Sequence, residues 1–273
     1  MTHLAWTGSM KAYSDKKGDK EMFGLKKQNQ KKMFYRTPSG KKWMEADQML
    51  REAHVQIAGS TGSGKSTMIH SIMWTALSYA PSQKQFIILD MKMGLEMARY
   101  EHLPHTLLFA ETDEEAISAL NTAINIITKR GQEMKQKGLT MYDGSDIYVV
   151  IDELGFLLQA CGNAALQKLM AISRIGRACR VHLIGATQDP SKASLPAAIQ
   201  QNMTCCIGLK CRDAVQSRQI ISASGCENLP DYGQGIMLKG SSWTRIGIYK
   251  VPDEDLSARI NYWSNPNNYI VYQ

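Results

Sequence analysis

The chain has 273 residues, 44% of them apolar, and a formal net charge of +7. So large an apolar share supports a packed core and excludes wholesale disorder, and the length suits one large α/β domain or two small ones. No run of about 18 apolar residues occurs and the start, Met1-Thr2-His3-Leu4-Ala5-Trp6, lacks the layout of a secretory signal, so a cytoplasmic protein without a membrane span is expected.

The charge is unevenly placed. Residues 1–51 carry twelve Lys/Arg against five acids, and the remainder is balanced, twenty against twenty. The basic character therefore belongs to an N-terminal arm, residues 1–35, which reads either as a contact for nucleic acid or as a solubilising segment. None of the six cysteines forms a Cys-x-x-Cys pair and no His-x₃₋₅-His set exists, so a zinc site is not expected and the thiols should be reduced.

In chain order, Met33 to Trp43 suits a hairpin around Pro38-Ser39-Gly40, and Ala46 to Ala53 a short helix. Val55-Gln56-Ile57-Ala58 then reads as a buried strand, and Thr67 to Leu77 as a helix with Ile69, Ile72, Met73 and Ala76 on one face. Between them Gly59, Ser60, Thr61, Gly62, Ser63, Gly64, Lys65, Ser66 and Thr67 fit the phosphate-binding P-loop, G-x-x-x-x-G-K-[ST]. The glycines let backbone N–H groups curl around an anion, and the helix N-terminus adds partial positive charge. Lys65 would reach the β- and γ-phosphates of ATP, and Ser66 would hold Mg²⁺.

Gln85 to Asp90 is a β-branched run ending in a carboxylate, a second parallel strand. Thr106–Phe109 is a third. Thr112 with Glu115 makes a capping box opening a helix through about Glu133, and Lys135 to Ser145 reads as an exposed loop. Ile147 to Ile151 runs directly into Asp152 and Glu153, two carboxylates a buried strand rarely ends on without a cation nearby. Downstream of a P-loop this is a Walker B element: Asp152 for the Mg²⁺ shell, Glu153 to deprotonate the attacking water. The adjacency of these acids, and the complete strand at Gln85–Asp90 between the two motifs, favour a hydrolytic RecA-like motor over a kinase or a Ras-like switch.

A helix from about Asn163 to Cys179 carries Arg174 and Arg177. Val181–Gln188 is a strand whose polar end places Gln188 near the γ-phosphate. A short helix over about Leu195–Asn202, a Thr204–Leu209 strand, an Asp213–Ser222 helix bearing Arg218, an antiparallel pair (Gly233–Leu238, Arg245–Tyr249) and a last helix through Trp263 complete the chain. The expected divisions are the arm at 1–35, a motor domain at 36–265 and a tail at 266–273.

Five stretches together resemble the FtsK/SpoIIIE family of DNA-translocating ATPases, in the FtsK–HerA branch of RecA-like motors. They are His54–Thr67; Asp90-Met91-Lys92 with Leu103-Pro104-His105; Val149–Leu158; Arg177–Ser191; and Asp213–Leu238. The resemblance implies an α/β fold of the RecA-like P-loop NTPase (ASCE) type, a mostly parallel sheet flanked by helices. It also implies a homo-oligomeric ring, usually hexameric, that threads double-stranded DNA and binds ATP between subunits. Arg177 stands where the family carries its trans arginine, with Arg218 as a second matched arginine at the same interface.

The chain departs from the pattern after Ala186-Thr187-Gln188. Asp189 replaces a common basic residue and Gln200 a lysine, leaving Lys192, Lys210 and Arg212, or Lys135 and Lys137, as the candidate DNA contacts. The family's winged-helix DNA reader and membrane region are not seen, so a stripped motor of mobile elements, as in conjugative transfer, working with a recruiting partner is the expectation. A protein-export ATPase of type VII secretion and a viral DNA-packaging ATPase are the alternatives.

Overall fold

The computed structural model describes Leu50, residues 52–78, 81–189, 196–248, 250–265 and Asn268. The basic arm, the hairpin at 33–43, most of the 46–53 helix, and Lys192 lie outside the described residues.

Among the described residues an eight-stranded sheet organises the chain, in the order β3-β2-β4-β5-β1-β6-β7-β8. The strands are β1 (His54–Ala58), β2 (Lys84–Leu89), β3 (Thr106–Ala110), β4 (Asp146–Ile151), β5 (Val181–Thr187), β6 (Cys205–Gly208), β7 (Gln234–Lys239) and β8 (Ser242–Gly247). The first six are mutually parallel, and β7 and β8 add an antiparallel edge. The expected mostly parallel sheet and its closing antiparallel pair are both present.

Successive strand residues point to opposite faces, so each parallel strand feeds two cores. Val55, Ile57, Phe86, Ile88, Tyr148 and Val150 pack on one side with helix α1 (Lys65–Ser78). Ile87, Leu89, Ile147, Val149 and Ile151 pack on the other with α2 (Asp113–Lys137) and α3 (Leu154–Ile175). Helix α1 is buried well beyond the single apolar stripe expected, with Met68, Trp74 and Leu77 also covered. Its outer side meets the last described helix, Asp253–Ser264, whose Trp263 Nε1 donates to the Leu77 carbonyl at 3.0 Å.

Helix α2 begins as expected, with Thr112 and Glu115 closing a capping box. It runs past Glu133 to Lys137 and ends on Gly138 at φ 66°, where glycine avoids a side-chain clash. Lys135 and Lys137 therefore sit in the last helical turn rather than in a loop. Helix α3 starts directly after Glu153, nine residues earlier than its apolar pattern suggested, and is interrupted at Gly162 (φ 54°). It stops at Ile175, so Arg177 lies in the following turn and not on the helix. Among the described residues, α4 (Ala197–Gln200) and α5 (Ala214–Ile221) flank β6; Asp213 caps α5 by accepting the N–H groups of Val215 and Gln216. With the last helix counted as α6, no helix among the described residues is long and apolar enough to cross a membrane.

Candidate functional site: a phosphate cradle at the carboxyl edge

Register brings the motifs together. Ala58 lies beside Thr187, Gly185 beside Ile151, and Ile151 beside Leu89. The residues that follow, Gly59, Gln188, Asp152 and Asp90, therefore emerge along one carboxyl edge. In space the strand between β1 and β4 is β5, which leads into Gln188, while β2 lies beyond β4.

The loop Gly59–Gly64 is wedged into this edge. Ser60 donates its N–H to the Lys210 carbonyl at 2.9 Å, and Gly62 and Gly64 adopt φ of 78° and 102°. A side chain at Gly59 would strike Ser63 Oγ, Leu209 Cβ and the Lys210 carbonyl at 2.7, 2.8 and 3.0 Å. Lys65 Nζ lies in the concavity and donates to the Gly59 and Ser60 carbonyls at 2.8 and 2.9 Å. Burial pulls its ammonium down to about 8, with Glu153 opposing that shift. Ser63 Oγ is buried without a hydrogen-bond partner among the described residues, and Ser66 lies in the first turn of α1. The loop curls as a phosphate ligand needs, with a cation and a helix N-terminus facing one space.

Asp152 and Glu153 are both buried and do different things. Asp152 Oδ1 accepts the Met91 N–H at 2.9 Å, and Lys92 Nζ lies 3.4 Å from Oδ2. Oδ2 has no hydrogen-bond partner among the described residues. Burial pushes this carboxyl up to about 6 against the pull of the Met91 N–H and Lys92. A buried carboxylate oxygen without a hydrogen-bond donor, at the same carboxyl edge as the first turn of α1, fits a hard divalent cation such as Mg²⁺. Glu153 instead accepts the Gln188 N–H through both oxygens, at 3.1 and 3.2 Å. The Gln188 side chain in turn accepts Thr61 Oγ1 at 2.7 Å. P-loop, Walker B and the polar end of β5 are thus joined by direct hydrogen bonds.

In the sequence Asp90 reads as the end of a strand and Lys92 as a mark of resemblance, without a role in the site for either. Asp90 is fully buried and accepts the N–H groups of Lys92, Glu96 and Met97 at 3.1, 2.9 and 2.7 Å, folding residues 91–97 back over the edge beside Asp152. A carboxylate ending an apolar strand is visible in a sequence; which later amides it gathers is not.

The expected site residues outside the cradle scatter. Arg177 is exposed in the turn before β5, at the amino edge of the sheet and away from this subunit's own loop. Arg218 is exposed on α5, and no hydrogen bond or ion pair among the described residues joins the two arginines. Lys210 spends its ammonium on the Glu227 carbonyl at 3.0 Å, and its backbone floors the P-loop. Arg212 is exposed and pairs with Asp213 at 3.2 Å. Lys135 and Lys137 are exposed near the amino edge, where Tyr142 donates to the Ala178 carbonyl.

This sheet order and cradle define a P-loop NTPase of the RecA-like class. Solved structures share the fold. The pCW3 conjugation coupling protein TcpA, in a monomer form with ATPγS, is 20% identical with a TM-score of 0.73, covering 85% of this chain and 70% of that one. The cytoplasmic domain of the type VII secretion ATPase EccC of Thermomonospora curvata is 20% identical with a TM-score of 0.71, over 88% of this chain and 32% of that one.

The FtsK/SpoIIIE family model matches residues 25–148. DNA translocase FtsK of Clostridium acetobutylicum is 32% identical over 245 residues, 82% of this chain and 32% of that protein. DNA translocase SftA of Bacillus subtilis is 31% identical over 240 residues, 81% of this chain and 25% of that protein. The chain is thus similar to the FtsK/SpoIIIE family along most of its length. It spans about a third of the length of the FtsK proteins it matches.

Proposed function

We propose that this chain is the motor of an ATP-driven translocase of double-stranded DNA, acting in the cytoplasm as a homo-oligomeric, hexameric ring. The observation that carries the reading is the bonded line Glu153–Gln188–Thr61, which ties the candidate base, the end of β5 and the phosphate loop into one unit. Such a link suits a site that must convert the state of a γ-phosphate into movement of a strand end. The relatives named DNA translocases support DNA as the substrate. The pCW3 neighbour, a conjugation coupling protein, supports DNA of a mobile element as its source.

In this reading the P-loop amides and Lys65 hold the β- and γ-phosphates of ATP. Ser66 and Asp152 would hold Mg²⁺, which when bound neutralises phosphate charge. Glu153 takes the proton of the attacking water as the bond to the γ-phosphorus forms and ADP leaves, and Gln188 keeps Glu153 aimed. Arg177 acts in trans, on the site of the neighbouring subunit, and Arg218 assists it. The amino-edge position of Arg177 supports that role, because a head-to-tail ring contact is what would bring it to another subunit's cradle. Exposed Ile175 beside it, and exposed Met93 and Leu95 near Asp152, are the apolar surfaces such a contact would cover. The arm at 1–35, Lys135, Lys137, Lys192 and Arg212 are assigned to DNA, with Lys210 at the loop floor. A recruiting partner would bring the motor to its substrate.

ATP turnover with and without duplex DNA tests the assignment. Several-fold stimulation is expected, with binding that weakens steeply as salt rises, because phosphate contacts release counterions. No stimulation and no salt-sensitive binding would overturn it in favour of protein export.

A further inference from the structure

The amino edge of the sheet holds a second buried polar centre, remote from the phosphate cradle. Asp146 opens β4 and is buried. Lys84 Nζ donates to its Oδ2 at 2.7 Å and Arg180 Nε to its Oδ1 at 2.8 Å, while His182 Nε2 lies 3.1 Å from Oδ1. Tyr148 stacks on the His182 ring with centroids 5.0 Å apart. Burial alone would raise the Asp146 carboxyl, but His182, Lys84 and Arg180 outweigh it and hold the group well below the usual carboxylate range.

One of those cations belongs to the turn that carries Arg177. Every carbonyl from 177 to 180 in this turn is bonded. Arg177 O accepts Arg180 N at 3.2 Å, Ala178 O accepts Tyr142 N at 2.8 Å, and Arg180 O accepts Ile147 N at 2.9 Å. Cys179 O accepts Arg130 Nη1 at 2.8 Å. Arg180 itself sits at φ 54°, a left-handed backbone that side chains other than glycine avoid unless something holds them there. Beside the bonded carbonyls, its ion pair with Asp146 ties this backbone to the start of β4. From this clamped turn projects one exposed guanidinium, that of Arg177, which makes no hydrogen bond or ion pair among the described residues. A group that must meet a phosphate across a subunit boundary needs such a frame, because placement errors of about 1 Å can cost about a hundredfold in rate.

We propose that Asp146 and Arg180 are positioning residues that lock the 176–180 turn so that Arg177 is presented to the neighbouring subunit's ATP. The proposal rests on the trans role given to Arg177 above.

The test uses the full chain as Asp146→Asn, Arg180→Gly, Arg177→Ala and Lys65→Ala variants. Glycine tolerates φ 54°, so Arg180→Gly removes the ion pair without backbone strain and stays folded even if Asp146→Asn does not. Both positioning variants should bind fluorescent ATP within about twofold of the parent yet turn over about a hundredfold more slowly. Mixing either with Lys65→Ala subunits, which lack a working cradle but keep an intact Arg177, should restore turnover, as should mixing Arg177→Ala with Lys65→Ala. A loss caused by damage to the variant's own site would not be restored. Normal turnover in both variants, or a loss that Lys65→Ala subunits fail to restore while restoring Arg177→Ala, would overturn the proposal and leave the trans arginine standing. Failure of Arg177→Ala itself to be restored would bring down the trans assignment and this proposal with it.

Discussion

Glu153 accepts the backbone N–H of Gln188 through both carboxylate oxygens, at 3.1 and 3.2 Å. Movement of the end of β5 cannot leave this carboxylate undisturbed, and any shift of Glu153 pulls on the residue bonded to Thr61 of the phosphate loop. The coupling is local, direct and built from the residues assigned to hydrolysis.

Glu153→Gln should therefore separate binding from chemistry. The amide retains the acceptor for the Gln188 N–H and the shape of the side chain but cannot take a proton. ATP affinity, read by fluorescent nucleotide titration, should stay within a few-fold, while turnover falls by about 10²–10⁴.

Gln188→Ala keeps its backbone N–H on Glu153 and loses only the bond to Thr61. Turnover should fall with little change in KM, because the base remains while its tie to the phosphate loop is gone. Thr61→Val should show the same direction of change, and equal loss in the double variant and either single one would place both side chains in one unit.

Gly59→Ala should fail at the binding step. The added methyl group meets Ser63 Oγ and Leu209 Cβ well inside contact distance, and the facing Lys210 carbonyl is backbone that cannot swing away. A cost of about 1–3 kcal/mol in folding stability, with lost ATP binding, is expected from urea unfolding and nucleotide titration.

Acid should destabilise the fold through His54. Burial, followed by the charge of His182, lowers its pKa to about 4, and its Nδ1 accepts the Leu183 N–H at 3.0 Å, leaving no room for a proton there. The unfolded chain binds that proton near pH 6.5, so stability is complete above that value and is lost as pH falls from 6.5 toward 4. The loss from this group is of order 2–3 kcal/mol. His105, buried and also lowered to about 4, acts in the same direction. Urea midpoints at pH 7.5 and 4.5 should differ, and His54→Asn, which keeps an acceptor for Leu183, should narrow the difference.

Much of this was legible before any coordinates. Strands β1, β2, β4 and β5 announce themselves as apolar runs that stop on a glycine or a polar residue, and the Thr112–Glu115 capping box marks the start of α2. The cradle residues are legible because a phosphate loop is local: Gly59 to Ser66 are neighbours in the chain as well as in space. Helix ends were harder. The start of α3 at Leu154 was hidden because Asp152 and Glu153 were read as the close of a strand, and Gly162 interrupts the apolar pattern that follows. Helix α1 showed one apolar stripe, yet α6 covers its other side, an arrangement made by residues nearly two hundred positions away. The Asp146 centre was not legible at all. Lys84, Asp146, Arg180 and His182 come from three strands and a turn, and no spacing connects them until the sheet order is known.

Removal of residues 1–35 should lower duplex affinity more than basal ATP turnover if the basic arm contacts DNA, and filter binding at two salt concentrations measures it. Equal affinity would return the arm to a solubilising role.

Translocation itself is tested most directly by displacement of a third strand. A triplex-forming oligonucleotide on linear duplex DNA should be released by the parent chain in the presence of ATP and Mg²⁺, and retained with Glu153→Gln under the same conditions. Retention of the third strand by a parent chain that hydrolyses ATP and binds the duplex would contradict the account.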